Sequence, residues 1–146
     1  ATTLIAGQAI RWFVGNWGRD ALVAIDPWAG RFAHVRLPTR RVHFAPDPVR
    51  PRFAHVFTED GTLRRLDARR GEIVASLPLT EPYSMDGHWS DPRPRIAVAG
   101  DAIAVTDPLM GLVRLVDAES FRETGSVTLP GRPFAIVAVG GEDEGH

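Results

Sequence analysis

The sequence predicts an all-β fold: about three blades of a β-propeller, each a YVTN/WD40-like unit of four antiparallel strands, with one closing strand after them. Three observations carry this. The first is a repeated strand ending in aspartate: Leu22-Val-Ala-Ile-Asp26, Leu63-Arg-Arg-Leu-Asp67 and Val113-Arg-Leu-Val-Asp117. The second is spacing. Asp26 to Asp67 is 41 residues, and Asp67 to Asp117 is 50. The third is punctuation: a Leu-Pro pair follows each Asp, at Leu37-Pro38, Leu77-Pro78 and Leu129-Pro130. Short strands bounded by Gly, Pro and Asp at a 40-to-50-residue period are the mark of a blade.

Each repeated strand is preceded by another strand and a tight turn. These are Phe13-Val14 with Asn16-Trp-Gly18, Val56-Phe57 with Glu59-Asp-Gly61, and Ala104-Val105 with Asp107-Pro-Leu-Met-Gly111. Ile5-Ala-Gly7-Gln-Ala-Ile10 matches Val98-Ala-Gly100-Asp-Ala-Ile103. The unit is therefore strands A to D, with strand A at residues 2–6, 41–46 and 95–99. The repeated Asp is expected to accept backbone N–H groups two residues on and fix the turn between strands C and D. In Phe53-Ala-His-Val-Phe57, alternation places residues 53, 55 and 57 on one face.

The blades are expected at about 1–39, 40–79 and 94–130, all in one propeller domain. A further A-like strand at 134–139 has no B, C or D after it, so it is expected to complete the first blade of a ring. An acidic tail, 140–146, ends the chain. Closed propellers have roughly 4 to 8 blades. The remaining blades are expected from the N-terminal part of the same protein, as a separate chain after cleavage, or from identical copies.

Composition bounds the function. With 17 basic and 18 acidic residues the net charge is −1, and nothing in that balance suggests nucleic acid, whose phosphates need a basic face. The hydrophobic fraction of 44 % is enough for a packed core, and Gly 14 with Pro 12 suits many turns. There is no cysteine, so a metal site would use His, Asp and Glu. No apolar run reaches the ~20 residues of a membrane helix, and no signal peptide is visible at the start.

No nucleophile elbow, phosphate loop or His-Glu-x-x-His helix is present. The concentrated chemistry is histidine with carboxylates. His88 sits in Asp86-Gly-His-Trp-Ser-Asp91, in the long connection before the third blade. Asp86 and Asp91 can ligate a metal, orient the imidazole as outer hydrogen-bond acceptors, or simply shape turns. His43 lies on strand A, nearest a central channel, where it meets histidines of other blades or bonds a neighbouring carbonyl. Glu144 and His146 lie in the tail, which wraps a cation or stays without fixed structure. His34 and His55 read as packing or surface residues. Strand direction puts His43 and His88 toward one face of the ring and His146 toward the other. Zinc needs about four ligands, so the missing blades must supply some.

Several runs resemble one family. They are Leu37-Pro-Thr-Arg-Arg-Val-His-Phe44, Asp47-Pro-Val-Arg-Pro-Arg-Phe53, Phe57-Thr-Glu-Asp-Gly61, Thr80-Glu-Pro-Tyr-Ser-Met-Asp-Gly-His-Trp-Ser-Asp-Pro-Arg-Pro-Arg-Ile96 and Ile136-Val-Ala-Val-Gly-Gly141. Together they are similar to the AztD-type zinc metallochaperones of bacteria, in the C-terminal portion of the propeller. The resemblance implies a periplasmic or cell-surface protein that binds Zn2+. It implies direct zinc transfer to the solute-binding protein of a zinc ABC importer. By motif, His43 and His88 match that family's zinc histidines, and Glu144 and His146 match its tail in character. The family's His- and Asp-rich loop belongs to its N-terminal half and has no match here. Such a protein is not an enzyme. The rival readings are a propeller enzyme (a metal-dependent lyase or quinoprotein-like dehydrogenase) and a pure interaction scaffold.

Overall fold

The computed structural model describes residues 3–6, 12–15, 21–26, 31–38, 41–67, 70–83 and 93–129, with side chains placed for 36–38, 42–67, 70–83 and 93–129. These residues form three four-stranded antiparallel sheets, and no helix is found among them. The first sheet is β1 (Thr3–Ala6), β2 (Trp12–Gly15), β3 (Ala21–Asp26) and β4 (Arg31–Arg36). The second is β5 (Arg41–Pro46), β6 (Phe53–Thr58), β7 (Thr62–Asp67) and β8 (Glu72–Pro78). The third is β9 (Ile96–Ala99), β10 (Ala102–Asp107), β11 (Leu112–Asp117) and β12 (Arg122–Thr128). In each, strands pair in chain order, which is the meander of a propeller blade. The expected closing strand at 134–139 and the tail at 140–146 lie outside the described residues.

The repeated aspartates hold their turns through backbone N–H groups two and three residues on, Asp117 drawing on Glu119 as expected and also on Ser120. Asp67 Oδ1 accepts the N–H of Arg70 at 3.3 Å, and Asp117 Oδ2 accepts the N–H of Ser120 at 2.8 Å. The main chain closes the same turns, since Gly71 N–H and Phe121 N–H each donate to the Asp carbonyl at 2.8 Å.

The second sheet carries core on both faces. Leu37, Phe44, Ala54, Val56 and Leu66 pack together on one side. On the other, Ala45, Phe57 and Leu63 join Ile96, Val98, Ile103, Val105, Val116, Ala118 and Phe121 of the third sheet and its turns. The alternation of 53–57 holds, with Ala54 and Val56 on one side and Phe57 on the other, and residues 54 to 58 are all buried because a flanked blade has no solvent face. Strand β12 is exposed along its whole length, and Val127, paired with Val113 of β11, is 47 % exposed. The third sheet therefore presents an apolar-bearing outer flank.

Candidate metal centre

Strand β5 positions His43. The register between β5 and β6 shifts between Arg41 and His43, a bulge that re-aims the side chain. The half-buried imidazole reaches the start of β9, where its Nδ1 accepts the N–H of Ile96 at 2.9 Å. A backbone N–H can only donate, so Nδ1 carries the lone pair and the neutral ring carries its proton on Nε2. A metal-bound histidine ligates through the lone pair of one nitrogen and donates from the other, so a metal on Nδ1 competes with the Ile96 N–H for the same lone pair. In this geometry His43 is a tie between the innermost strands of two sheets. It can accept a metal on Nδ1 only by releasing Ile96. On Nδ1 the partner is the Ile96 amide across the seam.

The long connection that carries His88 springs from fixed ends. At its near end, Leu79 and Thr80 N–H donate to the Gly61 carbonyl at 2.9 and 3.0 Å, and Tyr83 N–H donates to the Glu59 carbonyl at 2.6 Å. Gly61 has φ +82°, and a Cβ there would press on the Thr80 carbonyl oxygen and lie 2.9 Å from that of Glu81. At its far end, Arg95 N–H donates to Thr106 Oγ1 at 2.8 Å, and Thr106 N–H returns to the Arg95 carbonyl at 2.9 Å. His88, Asp86 and Asp91 lie outside the described residues, as do Glu144 and His146. His34 lies on β4, and its side chain is not among those described. Among the described residues, no three His, Asp or Glu side chains come together to hold a metal.

Another polar cluster escaped the sequence reading. His55 on β6 is fully buried, and its Nε2 lies 3.0 Å from Asp47 Oδ2. Asp47 Oδ1 also accepts the N–H groups of Val49 and Arg50, at 2.9 and 3.0 Å. Burial alone pushes the Asp47 carboxyl up, but the His55 bond and the two backbone donors outweigh it and hold it below the usual range. Burial is the largest influence on His55 and lowers it, with Asp47 opposing. Arg50 reaches across to the third sheet, donating to Asp101 Oδ1 at 2.6 Å, to Glu119, and to the Gly100 carbonyl at 3.3 Å. Arg65 donates to the Ala118 carbonyl and lies 4.9 Å from the ring centroids of both Phe53 and Phe121. The signal available in the sequence was Asp47-Pro-Val-Arg50, an Asx-type turn with a cation at its end.

No family model matches the chain. The zinc chaperone AztD of Citrobacter koseri is 53 % identical over 146 residues, covering 99 % of this chain and 35 % of that protein. The chain is AztD-like nearly from end to end. The apo structure of C. koseri AztD superposes with a TM-score of 0.90 over 95 % of this chain and 38 % of its own, at 53 % identity. A second crystal structure of C. koseri AztD gives 0.90 over 99 % of this chain and 39 % of its own, at 52 % identity. The hydrazine synthase of Kuenenia stuttgartiensis shares only the fold, with a TM-score of 0.67 at 12 % identity over 88 % of this chain. The chain thus spans little more than a third of the length of the AztD proteins it matches.

Proposed function

We propose that this chain is part of a zinc metallochaperone that binds Zn2+ and passes it directly to the solute-binding protein of a zinc ABC importer in the periplasm. The observation that carries the reading is 53 % identity across 99 % of the chain to a protein named as a zinc chaperone. His88 and His43 are the zinc histidines near one rim of the ring, with Asp86 and Asp91 orienting His88. Glu144 and His146 serve the other rim or a delivery tail. The rest of the propeller comes from the N-terminal part of the same protein, and its blades cover the outer flank left by β12 and supply the missing ligands. The exposed Val127 on that flank supports this.

Histidine and carboxylate ligands suit a carrier. They hold zinc without thiolates and exchange one at a time with an acceptor. On this reading His43 exchanges the Ile96 N–H for zinc on Nδ1, so zinc loading loosens one tie between the second and third sheets. No step of this kind is catalytic.

The test is direct transfer. The complete zinc-loaded protein is mixed with the apo solute-binding protein in the presence of a competing chelator that binds free zinc. Zinc appearing on the acceptor faster than the chelator removes it from the carrier alone supports the proposal. Complete capture by the chelator rejects direct transfer.

A further inference from the structure

We propose that the seam between the second and third sheets is an acid-sensitive joint, built on His55, Asp47 and Phe121. The ring of His55 is fully buried and stacks on Phe121 with centroids 6.1 Å apart and planes 19° apart. Phe121 belongs to the turn between β11 and β12, held at φ 55°, so the stack crosses from one sheet to the other. Asp47 already accepts two backbone N–H groups as an ionised carboxylate, which makes it an acceptor only. His55 Nε2 must therefore carry the proton in their 3.0 Å bond. In the neutral ring Nδ1 is then bare, and among the described residues it has no hydrogen-bond partner.

A proton added at Nδ1 would have nowhere to go. It would make a donor without an acceptor among the described residues, on a fully buried ring stacked against Phe121. The surrounding charges do not favour it. From the β5–β6 turn, Asp47 is the one carboxylate in contact and is already engaged, while Arg50 is positive. From β7, the Arg65 guanidinium lies 4.9 Å from the same Phe121 ring. From the third sheet, Asp101 and Glu119 are bound to Arg50, and Asp117 is bound to Ser120. Burial lowers the proton affinity of His55 in the folded state, with Asp47 only partly opposing.

The sign follows from proton linkage. A histidine held neutral by folding stays so while the opened or unfolded chain takes up a proton near the ordinary value of 6.5. Below that value, acid stabilises every state in which His55 reaches water. One proton is involved, so the opening equilibrium rises by at most about tenfold for each pH unit. The strain falls on the contacts beside the ring, including the Ala118 N–H to Asp101 carbonyl bond at 2.8 Å. The joint thus favours openings in which the third sheet parts from the second and the third sheet's own backbone bonds, including Ala118 N–H to the Asp101 carbonyl, become exchangeable.

The experiment uses the complete protein containing this chain. Amide hydrogen exchange, corrected for its intrinsic pH dependence, is followed from about pH 7.5 to about pH 5.5. The comparison is His55→Gln, which keeps an N–H donor for Asp47 but does not titrate. The expected result is that opening at Ala118, Ile103 and Val105 rises as pH falls in the wild type and stays flat in the variant. Ring nitrogen resonances of wild-type His55 provide a second measurement that needs no variant, and a neutral Nε2–H tautomer should persist below pH 6.5. Equal pH dependence in wild type and variant, or a doubly protonated ring at neutral pH, overturns the proposal.

Discussion

Alanine at Gly61 and at Gly100 separates backbone conformation from close approach. Both glycines have positive φ, +82° and +57°, where an alanine costs about 1–2 kcal/mol. At Gly100 nothing lies within 4 Å of an added Cβ, so Gly100→Ala should cost only that amount. At Gly61 the Cβ meets the carbonyls of Thr80 and Glu81. Relieving that clash pushes away the segment whose Leu79 and Thr80 N–H groups donate to the Gly61 carbonyl at 2.9 and 3.0 Å. Two backbone bonds at about 1 kcal/mol each bring the expected cost of Gly61→Ala to about 3–4 kcal/mol. Urea unfolding of the complete protein gives both values from the shift in midpoint at unchanged slope. Equal costs at the two positions would refute the argument that the base of the 79–95 connection is clamped on the β6–β7 turn.

Three other outcomes follow from the same contacts. Phe57→Ala, at a fully buried ring between the second and third sheets, should cost about 3–5 kcal/mol in the same unfolding assay. Arg50→Ala should cost about 1 kcal/mol or less, because its partners Asp101 and Glu119 are 71 % and 72 % exposed, and the loss should shrink further at high salt. Asp47→Asn should destabilise the protein by about 1–3 kcal/mol at neutral pH. The folded Asp47 carboxyl sits below its unfolded value of 3.8, so its contribution is present above that value and lost as pH falls through the lower folded one. The curves of the wild type and of the Asp47→Asn variant should therefore converge in acid when melting is followed against pH.

The blades were legible because their signals are local. Strand-turn-strand units with Asp and Leu-Pro at fixed places need only nearest-neighbour chemistry, and β5 and β10 fall where alternation and turns put them. What sequence could not show was which faces meet. Residues 54 to 58 are buried on both sides because blades flank the sheet, a fact no single strand encodes. The partner of His43 was missed for the same reason: the Ile96 amide lies 53 residues away, across a seam. His55 read as a packing or surface residue; it is buried, and its bond to Asp47 depends on how the β5–β6 turn folds back. The run around His88 was legible through its resemblance to AztD-type sequences rather than through periodicity, since a loop of turn-formers has no period.

The proposed function requires that His43 and His88 bind zinc. Calorimetric titration of the complete metal-free protein with zinc tests it most directly, beside His88→Ala and His43→Ala. Stoichiometric zinc binding is expected in the wild type, and weaker binding in each variant. No zinc-dependent heat, or affinity untouched by both substitutions, would contradict it.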